Sequence, residues 1–103
     1  MPTPLQALLG IAWYRADQWA DLLAAVSDRS EFEERHADWL ATAEKIQDEM
    51  ARSGSRVERV EVDVTEMVAW CRARKAPLDA RARSRFVSEK LQARYKPAKG
   101  DAP

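Results

Sequence analysis

The stretch Arg56-Val57-Glu58-Arg59-Val60-Glu61-Val62-Asp63-Val64-Thr65-Glu66-Met67-Val68-Ala69-Trp70-Cys71 changes its hydrophobic period from two to about 3.6 within a few residues. The change falls at the D-x-x-E pair Asp63 and Glu66, a capping pattern. Before it, Val60 and Val62 alternate with Arg59, Glu61 and Asp63, so one face of the segment is dry and the other wet. After it, Val64, Met67, Val68 and Cys71 share a helical face, with Trp70 at its margin. The junction predicts a strand feeding a helix, and it excludes a plain helical bundle. A single strand cannot satisfy its own backbone donors and acceptors, so a partner strand is required.

Leu8-Leu9-Gly10-Ile11-Ala12-Trp13-Tyr14 has the length and residue types of that partner. A competing reading makes residues 5–27 one long helix: Thr3-Pro4-Leu5-Gln6 has capping-box form, and Leu5, Leu9, Ala12, Ala16, Trp19, Leu23 and Val26 keep helical spacing. The strand is preferred because Gly10 weakens a helix by about 1 kcal/mol relative to Ala, and because the strand at Val60 needs a neighbour. Both readings remain open at this level.

The remaining elements are helical. Asp17 to Val26 reads as a short amphipathic helix closed by Ser27-Asp28. Ser30-Glu31-Phe32-Glu33 has capping-box form, and Phe32, His36, Trp39, Ala43, Ile46 and Met50 recur behind it as one apolar stripe, ended by Ser53-Gly54. Pro77 stops the helix that follows Asp63, and Asp79 caps a last helix through Phe86, Val87 and Leu91 toward Tyr95. The expected fold is α/β, with α+β as the fallback. It is a single domain over residues 1–95 in the order strand-helix-helix-strand-helix-helix, its two-stranded sheet covered by helices. The 96–103 tail lacks an apolar pattern and is expected to be disordered. If the strands are parallel, the intervening helices form the crossover.

The chain has 103 residues, 46% hydrophobic and 33% charged, a balance typical of one modest globular domain. No apolar run approaches the roughly 18 residues of a membrane span, and residues 7–14, the longest, do not have the flanks of a signal peptide. Cys71 is the only cysteine, so a disulfide framework is excluded and a reducing cytoplasm is the expected location. The formal charge of zero hides an asymmetry. Residues 1–71 carry seven basic against fourteen acidic side chains, net −7, and residues 72–99 carry ten against two, net +8. Either the basic helices lie against the acidic ones, or they offer a surface to an acidic partner or a phosphate backbone.

Candidate sites are few. Trp13, Tyr14, Arg15 and Trp19 form a possible ligand lip at the C-terminal end of the first strand, the edge where open α/β sheets bind ligands, with His36 as a possible companion. His36 also sits on the apolar stripe between Phe32 and Trp39, which suits packing. Cys71 shares a face with Val64 and Met67, which suits burial over nucleophilic catalysis. Arg74, Arg81, Arg85, Lys90 and Arg94 make a basic patch in which pairs four apart share helix faces. One Cys and one His do not assemble a zinc site, so neither metal nor cofactor is expected.

Gly10-Ile11-Ala12-Trp13-Tyr14-Arg15, then Trp39-Leu40-Ala41 with Ala43-Glu44, then Val60-Glu61-Val62-Asp63 and Ala69-Trp70-Cys71 resemble the pattern of small uncharacterised bacterial proteins, over residues 8–95. The resemblance favours the strand at residues 8–14 and implies no activity. The function expected is that of a small non-enzymatic cytoplasmic protein acting through protein contacts as a homodimer, without membrane insertion. The alternative is nucleic-acid binding through the basic segment 72–99. A further alternative is small-molecule binding or catalysis at the Trp13–Trp19 lip.

Overall fold

The computed structural model describes residues 8–95. The first residues of the candidate long helix, its Thr3–Gln6 cap and the 96–103 tail lie outside the described residues. Leu8–Tyr14 forms a strand, β1, so the single long helix is not made. It pairs in parallel with β2, Arg56–Val62, with Leu8 opposite Arg56 and Tyr14 opposite Val62. Between them run a 3-10 turn at Ala16–Gln18, helix α1 at Trp19–Ala25, a second 3-10 turn at Arg29–Glu31, and helix α2 at His36–Arg52. Helices α3, Val64–Ala73, and α4, Ala80–Tyr95, follow β2. Among the described residues the fold is thus a two-stranded parallel sheet with four α-helices.

Alternation along the strands divides the helices between the two faces. On one face α4 lies so close to β1 that a Cβ at Gly10 would sit 3.0 Å from Val87 Cγ1 and 3.2 Å from Leu91 Cδ2. On the other, α2 approaches through Trp39, whose ring lies 5.4 Å from that of Trp13, and through Gln47, whose Oε1 accepts from Arg59 Nε at 2.9 Å. The core sits on the α3–α4 side, where Leu22, Val62 and Met67 are fully enclosed.

Helix ends follow the local chemistry. Asp63 Oδ1 accepts from Glu66 N at 3.1 Å and Asp79 Oδ1 from Ala82 N at 2.9 Å, as the sequence predicts. Gln18 adds a cap that sequence reading missed, its Oε1 accepting from Val64 N at 2.9 Å. Gly54, at φ 96°, closes α2 with a Schellman pair: Ser55 N donates to Met50 O and Gly54 N to Ala51 O. The same pair of bonds closes α3 at Lys75, φ 52°, so that helix ends ahead of Pro77.

One expected helix start is corrected. The Ser30–Glu33 capping box does not form, and α2 begins at His36 without a side-chain cap. The residues ahead of it serve the core instead. Trp19 Nε1 donates to Glu34 O at 3.1 Å, and Phe32 packs edge-on against the Trp19 ring as a loop residue. The apolar stripe also runs past the region it covers, because Ile46 remains exposed.

Candidate functional site

The residues of the expected lip do converge, as part of a packed aromatic cluster. Trp13 and Tyr14 end β1, Trp19 opens α1 and His36 opens α2. Ring centroids lie 5.6 Å apart for Trp19 and His36, 5.2 Å for His36 and Trp39, and 5.4 Å for Trp19 and Trp39. His36 Nε2 stands 2.7 Å from the Tyr14 carbonyl. A carbonyl only accepts, so this nitrogen carries the hydrogen. Tyr14 is buried, and burial pushes its phenol up to about 12, with Asp28 adding to the rise and Arg83 opposing it. A phenol so placed stays protonated through the physiological range. Arg15 stands outside the cluster on the exposed rim, donating to Asp17 at 3.0 Å and facing Glu61 at 3.7 Å.

Cys71 is buried among the core side chains, and burial raises its thiol above the ordinary value. The thiolate that nucleophilic or ligating chemistry requires is thereby disfavoured. Among the described residues no group of three or more His, Cys, Asp or Glu side chains is arranged to hold a metal ion, and no helix is long and apolar enough to cross a membrane.

Most of the candidate basic patch is engaged within the molecule. Arg94 donates to Glu58 at 2.8 Å and Lys90 to Glu66 at 2.7 Å. Arg74 and Arg85 share Glu89, at 3.6 and 3.2 Å, and both lie over the Trp70 ring, whose Nε1 donates to the same carboxylate. Among the described residues Arg81 has no ion-pair partner; it borders a recess of about 340 Å³ beside Trp70 and Pro77. The two-ended charge distribution therefore folds back on itself, with Arg83 on Asp28 completing the pattern at 2.7 Å.

A groove of about 820 Å³ lies between β1 and α4. Leu8, Gly10, Ala12, Val87 and Leu91 give it an apolar bed, and Ser84, Ser88 and Gln92 form its rim. Tyr14 and Arg83 stand at one end, and Leu8 and Tyr95 at the other. Beside the groove runs the outer edge of β1, since among the described residues the sheet holds no strand beyond it. Alternate residues of such an edge turn their N–H and C=O groups outward without a ladder partner. Sequence reading looked for a site at the strand's end and missed this one along its side. The available signal was Ala80, Ser84, Ser88 and Gln92, uncharged and four apart in an otherwise charged helix, together with Gly10 in a strand.

No protein-family model, curated protein or solved structure matches the chain.

Proposed function

We propose that this chain is a non-catalytic protein-interaction domain whose working surface is the groove between β1 and α4. The observation that carries the reading is the coincidence, in one place, of an apolar groove of about 820 Å³ and a strand edge that has no ladder partner among the described residues. Strand addition of this kind draws affinity from main-chain hydrogen bonds and specificity from pockets for alternate side chains. The engagement of His36 with Tyr14 O and the burial of Cys71 support a role without nucleophilic or acid–base chemistry. The internal pairing of Arg74, Arg85, Lys90 and Arg94 favours protein contacts over a phosphate backbone. The lone, buried, reduced Cys71 supports a reducing compartment such as the cytoplasm.

Site-specific photo-crosslinking tests the assignment. A photoreactive residue in place of Leu8 or Gln92, both at the groove, is expected to capture protein, whereas one at Glu44 or Asp48 on α2 is not. Equal capture from both sets, or none from the groove, overturns the reading.

A further inference from the structure

We infer that the occupant of the groove is a second copy of this chain, its β1 antiparallel to the first across a two-fold axis, so that the two sheets become one of four strands in the order β2-β1-β1-β2. The inference rests on the groove being the working surface, and it names what fills it.

Three observations support a copy of the same chain over another partner. The first is the sheet itself: among the described residues β1 has a strand on one side only, and pairing at its free side makes four strands without a new element. The two sides of the sheet also differ, because Arg94 reaches from α4 to the Arg59 carbonyl of β2 at 3.4 Å, while on β1, among the described residues, only the last carbonyl, that of Tyr14, is taken by a side chain. The second is charge. A two-fold interface sets a patch against itself, so a charged patch repels its copy and a neutral one does not. Ala80, Ser84, Ser88 and Gln92 carry no charge toward the groove, although the same helix bears Arg81, Arg85, Lys90 and Arg94. Arg83, at the groove's end, is held by Asp28 through two contacts of 2.7 Å. An acidic peptide or a phosphate backbone finds no counter-charge along this rim. The third is size. The serines and Ala80 let α4 and its copy lie side by side over the joined sheet, since helix separation is set by the side chains at the contact. Leu8, 39% exposed in the single chain, is then covered.

Sedimentation velocity on the full chain at high micromolar concentration is the test, with a dimer of twice 11.7 kDa expected. Ser88→Arg and Ser88→Glu, made at an exposed helix position, are each expected to weaken the dimer by about tenfold or more. An equimolar mixture of the two restores it, because the axis sets each stripe against its copy. Should either fail to fold, Gln92→Arg and Gln92→Glu make the same pair. A monomeric wild type overturns the inference, and so does a dimer indifferent to both charges. A monomer whose groove crosslinks to a different protein removes the second copy and keeps the groove. A monomer with no groove crosslinks removes both.

Discussion

Arg83 grips Asp28 with two guanidinium nitrogens, each 2.7 Å from one carboxylate oxygen, above the ring of Phe32. The clamp ties the loop after α1 to the first turns of α4, and its side chains are only 13% and 25% exposed. Removing one partner of a well-buried pair costs about 3–5 kcal/mol. The partial exposure of Asp28 lowers the expectation for Asp28→Asn to about 2–3 kcal/mol. Urea unfolding at neutral pH measures it.

The same pair gives a pH dependence of definite sign. Hydrogen bonds from Arg83 hold the Asp28 carboxyl below its ordinary value. Its stabilisation is therefore complete above about pH 4, the unfolded value, and is lost as pH falls through the lower folded one. Glu58, held down by Tyr95 and Arg94, and Asp63, held down by the Glu66 amide, titrate in the same sense. The specific readout is the gap between wild type and Asp28→Asn, which narrows on acidification. A gap that stays constant through the acid limb contradicts the assignment.

Lys75 closes α3 in the left-handed region at φ 52°, where an L side chain costs about 1–2 kcal/mol. Lys75→Gly removes that strain and keeps both Schellman bonds, which are made by backbone atoms. Glycine's greater freedom in the unfolded chain offsets part of the gain. A net stabilisation of about 0.5–1 kcal/mol is expected, read as an increase in urea midpoint at unchanged slope.

Gly10 is a point of close approach between sheet and α4. A Cβ there meets Val87 Cγ1 at 3.0 Å, Leu91 Cδ2 at 3.2 Å and Val60 Cγ2 at 3.3 Å. Val87 has little freedom to turn, because a β-branched residue in a helix has one strongly preferred rotamer. Gly10→Val is expected to cost about 3 kcal/mol by overpacking, and Gly10→Ala about 1 kcal/mol or less, since a strand gains from losing a glycine. Equal effects from the two would mean that α4 moves away freely.

Cys71 supplies a chemical check on the core. Buried, and with its thiol pushed up by burial, it is expected to resist alkylation at neutral pH in the native protein and to react fully in denaturant. Rapid native reaction would place α3 away from the sheet.

The parts of this fold legible in the sequence are those decided by neighbours along the chain. The period change at Asp63, the Asp79 cap and the glycine stop at Gly54 are local chemistry, and each forms as read. Pairing of Leu8–Tyr14 with Arg56–Val62 followed from a strand's need for a partner, whereas its parallel sense was open in the sequence and is settled by the register of Leu8 on Arg56 and Tyr14 on Val62. The Ser30 capping box failed because Trp19 and Asp28 draw residues 28–35 into contacts far along the chain, which outweigh a local cap. Of the lip residues Trp13, Tyr14, Trp19 and His36 come together while Arg15 stays on the rim, and Trp39 and Phe32 pack among them, which the pattern did not disclose. The groove left only a faint trace in the sequence, the uncharged Ala80, Ser84, Ser88 and Gln92 and the glycine at residue 10, because it exists only where α4 crosses β1.

The parallel pairing of β1 and β2 also imposes an order on assembly. Antiparallel neighbours close through a tight turn, whereas these two strands meet only after residues 15–55 have been placed between them. During synthesis β1 emerges first and waits for its ladder until β2 has left the ribosome, and for cover on its Gly10 side until α4 has followed. Folding of this small domain is therefore governed by one long loop closure made late, the situation in which folding slows and an early strand is longest available to the wrong neighbour.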